Sequence, residues 1–182
     1  QIAESCQLTS VIPATYQQTQ YSVNIDHQIN TANRASAKFF FANQPSVDPL
    51  SDGDAVTRFE VKEKTDQRVL SLNDVHVFRS AMVNEARAGV FRNHNDTVPV
   101  SYFTNEQFGI VNPFAAKVPD LTQIEIGADD VGSTLVFGGP GSGSRVFDTQ
   151  TTYTFGDTLS FSRGRHSFRA GGELRHSRLD GD

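Results

Sequence analysis

Residues 151–175, TTYTFGDTLSFSRGRHSFRAGGELR, constrain the fold of this chain more than any other stretch. Tyr153, Phe155, Leu159 and Phe161 fall on one parity; Thr152, Thr154, Thr158, Ser160 and Ser162 fall on the other. Successive side chains of a β-strand point to opposite faces, so this alternation reads as a strand. A second run repeats it, with Phe168, Ala170, Gly172 and Leu174 against Ser167, Arg169, Glu173 and Arg175. Gly164-Arg165 lies between them, and Gly at the first central position suits a two-residue type II′ hairpin turn. That turn sets Arg163 opposite His166, Phe161 opposite Phe168, Leu159 opposite Ala170 and Phe155 opposite Leu174. Ser160 then meets Arg169, and Thr154 meets Arg175. A slip of one residue would destroy this match of faces. Each strand is roughly twice the usual length for a soluble protein. Long strands with one apolar and one polar face suit a transmembrane β-barrel. A large soluble sandwich is the other architecture such a hairpin allows.

Composition narrows the choice. Mean hydropathy is −0.40 and 37% of the 182 residues are hydrophobic. No apolar run approaches the ~18 residues of a membrane helix, whereas a barrel needs only alternate residues to be apolar. A net charge of −5 offers no basic footprint, so no nucleic-acid partner is expected. Cys6 is the only cysteine, which rules out an internal disulfide and reads as an idle thiol. Residues 1–10 lack the basic and apolar segments of a signal peptide. An internal fragment of an exported protein is therefore expected.

Taken in order, the chain reads as further hairpins. Tyr21, Val23 and Ile25 alternate with Ser22, Asn24 and Asp26, predicting a strand over about 18–29. A three-residue loop, Thr31-Ala32-Asn33, leads to a strand over about 34–43 carrying Ala37, Phe39 and Phe41. The implied register sets Ile25 opposite Phe39, Val23 opposite Phe41 and Asp26 opposite Lys38. Residues 44–66, with two prolines and many charges, read as a loop. Strands follow over about 67–78 and 82–93, joined at Ser80-Ala81, with Asp74 facing Arg87, His76 facing Glu85 and Val75 facing Ala86. The first of this pair has apolar residues on both faces (Leu70 and Leu72; Val69, Val75 and Val77), so its pattern defines the register poorly. Residues 97–148 form a long irregular region. Within it Thr104 to Gln107 is set to cap one helical turn before Gly109, and 121–127 reads as a short strand. The last two strands span about 149–163 and 166–178.

The connections alternate short, long, short, long, short. Outer-membrane barrels have short periplasmic turns and long extracellular loops in strict alternation; a sandwich has no reason to sort its loops in this way. The expectation is an all-β, antiparallel up-and-down meander of about six long strands, part of a larger transmembrane β-barrel in the bacterial outer membrane. The alternative is a soluble β-sandwich binding or adhesion module that uses loop 97–148.

DTLSFSRGRHSFRAGGE resembles a hairpin of the TonB-dependent outer-membrane receptors, in particular the Oar-like group. That hairpin has an aromatic strand, a basic-Gly-basic-His turn and a strand ending Gly-Gly-Glu. YSVNIDHQINTANRASAKFFF is similar to the group's strand ending Asp-His-Gln before a short Asn-containing turn. MVNEARAGVFRN is similar to its Val-Asn-Glu strand, and FTNEQFGIVNP to a loop helix ending Leu-Gly-Ile, with Phe108 in place of Leu. The resemblance implies a barrel of about 22 strands around an internal plug, uptake of a bulky, unknown substrate driven through TonB, and outer-membrane lipid around it. Oar-like members are also associated with the cell surface and adhesion. The plug and the TonB-contact segment are expected to lie outside this sequence.

Catalytic and metal-binding patterns are absent. His27, His76, His94, His166 and His176 have no metal-ligand spacing. Asp48, Asp52 and Asp54 in DPLSDGD faintly suggest calcium, but Phe59 stands where the loop's acidic twelfth ligand belongs. GGPGSGS at 138–144 has no following Lys and is not a phosphate loop. No enzyme activity and no cofactor are expected. The residues expected on a polar lumen face are Asp26, Lys38, Asp74, Arg87, Arg169, Glu173 and Arg175. Tyr153, Phe155, Leu159, Phe161, Phe168 and Leu174 are expected on the lipid face. Asp157 opposes this scheme, since it shares parity with Phe155 and faces Gly172; a bulge at Gly156 would turn it inward but would also shift Leu159 and Phe161.

Overall fold

The computed structural model describes residues 11–49, 59–79, 81–101, 103–111, 113, 121–128, 133–137 and 146–181. Strands β1 (Thr15–Tyr16), β2 (Thr19–Gln28), β3 (Asn33–Asp48), β4 (Phe59–Arg79) and β5 (Met82–Ser101) come first. A single 3-10 turn (Glu106–Phe108) and the strands β6 (Ile124–Ala128) and β7 (Ser133–Phe137) lead to β8 (Val146–Arg163) and β9 (His166–Gly181). Among the described residues seven strands form one sheet, in the order β3-β4-β5-β8-β9, with β1 and β2 both on the outer side of β3. Sequence neighbours pair as antiparallel hairpins, which makes the sheet the expected up-and-down meander and not two stacked layers. It is an open sheet, not a closed barrel.

The chain divides into two compact units. One comprises Gln18–Gln44, Thr65–Asn95 and Phe147–Asp182. In it the β8–β9 hairpin has the register that the sequence predicts, from Arg163 opposite His166 to Asp148 opposite Gly181. Gly164 has φ 61°, the positive value a primed turn requires at its first central residue. Gly164→Ala is expected to cost about 1–2 kcal/mol, because an L-residue is strained there. Gly164→Asn should cost less; equal unfolding midpoints for the two variants would contradict this.

The β2–β3 hairpin is shifted by two residues from its expected register. Ile25 faces Ala37, Val23 faces Phe39 and Asp26 faces Ser36. Turn chemistry explains the shift. The Asn33 amide donates to the Asn30 carbonyl at 3.3 Å, and the Asn30 side-chain oxygen accepts from the Ala32 amide at 2.8 Å. Asn30 therefore opens a four-residue turn with its own side chain, in place of the three-residue loop expected at 31–33. A two-residue shift leaves every side chain on its expected face.

The other unit comprises Gln1–Gln17, Pro45–Lys64 and Asp96–Val146. Here β1 pairs with the end of β3, Thr15 opposite Val47, and the Gln17 amide donates to the Pro45 carbonyl at 3.0 Å. The Thr104 hydroxyl accepts from the Gln107 amide at 3.4 Å, and the Gln107 side chain accepts from the Thr104 amide at 3.0 Å. This reciprocal cap is the one expected from the sequence, and the turn ends at Gly109 with φ 67°. Asn105, 2% exposed, accepts from the Thr122 amide at 2.9 Å. The short strand expected at 121–127 is β6, paired with β7.

Strands outrun their expected ends at 43, 67, 93 and 149, reaching Asp48, starting at Phe59, reaching Ser101 and starting at Val146. Prolines and charges there suggested loops, yet pairing with neighbouring strands satisfies the backbone irrespective of side-chain polarity. The expected 44–66 and 97–148 loops are shorter accordingly. Both connections still leave the same end of the sheet, because successive strands reverse direction. Cys6, Asp52, Asp54 and the 138–144 segment lie outside the described residues.

Among the described residues there is no conventional core. Among the described residues the buried apolar side chains are Ala42, Val61 and Leu121. Phe155, Phe168 and Leu174 remain 56–68% exposed, on one face of β8 and β9. A sheet in water must bury one face against another layer, and an apolar surface this extensive implies a non-aqueous neighbour.

Candidate functional surface

The site is the sheet itself, and its two faces follow from strand parity. On β8 and β9 Phe155 pairs with Leu174 and Phe161 with Phe168, while Thr154 pairs with Arg175 and Ser160 with Arg169. Contacts between strands extend the two sets. The Asn84 amide donates to the Asp157 carboxylate at 2.6 Å, which puts even-numbered β5 residues on the Phe155 face. The Thr65 hydroxyl meets Asn95 at 3.0 Å, so odd positions of β4 and β5 share the other face. His76 contacts Asn33 and Asn43 donates to Asp66, so even positions of β4 go with odd positions of β3.

Asp26, Lys38, Arg87, Arg169, Glu173 and Arg175 consequently lie on one face, together with Thr154 and Ser160. Their partners differ from those expected. Asp26 bonds Arg34 at 3.1 Å in place of Lys38, because the hairpin shift brings Arg34 diagonally across. Glu85 lies 3.8 Å from Arg87 and 4.0 Å from Arg169, and Arg175 lies 3.5 Å from Glu173. These pairs are solvent-exposed, and each contributes only about 0–1 kcal/mol. Serine and threonine pairs continue the face: Thr152 with Ser177 at 2.9 Å and Ser162 with Ser167 at 3.0 Å.

Asp74 departs from its expected place. The Thr65–Asn95 contact requires a β4–β5 pairing one residue away from the expected register. Asp74 and Arg87 then fall on opposite faces, and so do His76 and Glu85. Asp74 joins Ile25, Ala37, Leu72 and Phe155. The cause is visible in β4, where valines and leucines occupy both parities and leave the register to its neighbours.

Asp157 also stays on the apolar face. Pairing runs unbroken through Asp157 opposite Gly172, without a bulge. Its carboxylate is held by Asn84, whose amide also donates to the Thr158 carbonyl at 3.3 Å. Asn84 is 73 residues away in sequence, and only the parity of Met82-Val83-Asn84 hinted at its direction. A cavity of about 880 Å³ runs past both acids, where Ala35, Ala86 and Gly172 leave space beside Phe155 and Leu174.

An open antiparallel meander of long strands, with one apolar and one hydrated face and almost no core, defines the wall of an outer-membrane β-barrel. The chain belongs to the outer membrane beta barrel domain family, which matches residues 3–182. Membership places it in the bacterial outer membrane. No curated protein matches the sequence.

Proposed function

We propose that this chain forms part of the barrel wall of a TonB-dependent, Oar-like transporter that takes up a bulky substrate across the outer membrane. One observation carries the reading: six charged residues from four strands share a single hydrated face, opposite the face that carries Phe155, Phe161, Phe168 and Leu174. In this reading Asp26, Lys38, Arg87, Arg169, Glu173 and Arg175 line a water-filled lumen, and Phe155, Phe161, Phe168 and Leu174 meet lipid. Charged groups in a lumen keep their water, whereas Arg or Lys at the bilayer midplane costs about 2–4 kcal/mol. Substrate contact is assigned to the lumen face and to the connections β3–β4 and β5–β8, since loops on a rigid scaffold commonly carry recognition. The edges of β2 and β9 need further strands, because unpaired backbone is not tolerated in hydrocarbon. TonB would act through a plug outside this chain. We assign no catalytic step to it.

Two measurements test the proposal. In a Cys6→Ser background, Arg169→Cys and Glu173→Cys in membrane-embedded protein should react with a small impermeant maleimide. Phe168→Cys and Leu174→Cys should be protected; the reverse pattern overturns the lumen assignment. The intact protein in detergent should also capture the isolated periplasmic domain of TonB. Failure to capture it, with correct labelling, leaves a barrel but removes TonB-dependent transport.

A further inference from the structure

Three arginines of the apolar face that the transport reading does not use gather at one level of the sheet. Arg68 and Arg92 share parity with Leu70 and Val90, and Arg178 pairs with Thr151 on the Tyr153 face. The Arg68 guanidinium lies over the Phe41 ring, 5.9 Å from its centre, and Phe41 stacks on Tyr21 at 5.0 Å. With Asp66, His94 and Thr149, the two arginines Arg68 and Arg92 line a small polar cavity of about 200 Å³. Thr149 is only 8% exposed, and its hydroxyl meets His94 Nδ1 at 2.7 Å, which orients the imidazole and leaves Nε2 for a ligand. Asn43 donates to Asp66 and so holds the one carboxylate of the wall. Arg178 is paired with Asp180 at 2.8 Å. Arg92 has no ion-pair partner among the described residues.

The level of this cavity is informative. Ten residues of β9 separate Phe168, beside the short turn, from Arg178. At about 3.3 Å per residue and a tilt of about 40°, that is about 25 Å along the membrane normal, the height of a barrel's apolar band. Phe161 and Phe168 mark one border of the band, Tyr21 and Phe41 the other. The basic cavity therefore opens at the border remote from the short turns, where the cost of an arginine falls to about 0–1 kcal/mol. Two guanidiniums against one carboxylate, with a hydroxyl–imidazole pair that has one further N–H or O–H to give, are a donor set for a tetrahedral oxyanion, which arginine grips through paired N–H bonds.

We propose that Arg68, Arg92, His94 and Thr149 form a binding site for a phosphate group at the rim of the apolar face. Two sources supply that chemistry there: the phosphorylated headgroup of an outer-leaflet lipid, or free phosphate. The intact protein, extracted from native outer membranes in mild detergent and delipidated in steps, separates them by native mass spectrometry. If the source is a lipid, wild type retains a phosphorylated lipid that the Arg68→Gln/Arg92→Gln double variant loses by about tenfold or more, as expected for charge-assisted bonds. Arg175→Gln, on the opposite face, should retain it as wild type does. If wild type retains no lipid but binds inorganic phosphate in calorimetry with the same arginine dependence, the ligand is free phosphate. Lipid and phosphate binding both indifferent to the two arginines would overturn the site. The Arg68→Lys/Arg92→Lys variant keeps the charge and guards against misfolding: with wild-type heat-modifiable mobility it should bind more weakly than wild type, and binding equal to wild type would overturn the guanidinium grip.

Discussion

Gly171→Ala is expected to destabilise the protein by about 3 kcal/mol, the upper end of what overpacking costs, while Gly172→Ala is nearly silent. A Cβ on Gly171 would lie 2.5 Å from the Asp157 carbonyl oxygen, 2.9 Å from the Thr158 hydroxyl and 3.1 Å from the Thr158 Cα. Two of these are backbone atoms of the paired strand, so β8 and β9 would have to part. A Cβ on Gly172 meets nothing within 4 Å. There the substitution should even gain about 0.5 kcal/mol, because Ala loses less conformational entropy than Gly. Chemical unfolding of the two variants in lipid vesicles is the measurement. Equal midpoints would mean that the β8–β9 strands do not approach as closely as described.

Phe155→Arg should lower stability in a bilayer by about 2–4 kcal/mol plus the lost apolar contact, whereas Gly156→Arg should change it by about 0–1 kcal/mol. The two positions are neighbours on β8, with Phe155 opposite Leu174 and Gly156 opposite Glu173 on the charged face, and a Cβ on Gly156 meets nothing closer than 3.7 Å. They differ in face and hardly in depth. Heat-modifiable mobility of the membrane-inserted protein reports the folded fraction. If the two variants insert equally well, Phe155 does not face lipid and the two faces carry the wrong assignments.

The amino-acid sequence determined the β8–β9 hairpin completely. A glycine turn and two clean faces leave a single register, because a one-residue slip puts the phenylalanines against arginine in one direction and against serine and glutamate in the other. It also determined the meander and the alternation of long and short connections. The Thr104–Gln107 cap was legible for the same reason: its partners are three residues apart and carry their own geometry. Registers in β2–β3 and β4–β5 were not legible. A two-residue slip preserves parity, so Tyr21 to Ile25 fit two pairings equally well until the Asn30 side chain closed the turn. In β4, Leu70 and Leu72 lie on one parity and Val69, Val75 and Val77 on the other, and a pattern apolar on both faces carries no preference. Tertiary structure alone decided that Asp74 lies with Phe155 and not with Arg87. It alone brought Asn84 to Asp157, and Arg68 and Arg92 to one cavity with Thr149. It alone made Gly171 indispensable beside a permissive Gly172. The physical reason is common to all four. Parity is a local property that each strand displays in its own residues, but which residue meets which across strands depends on the turns and on neighbours distant in sequence.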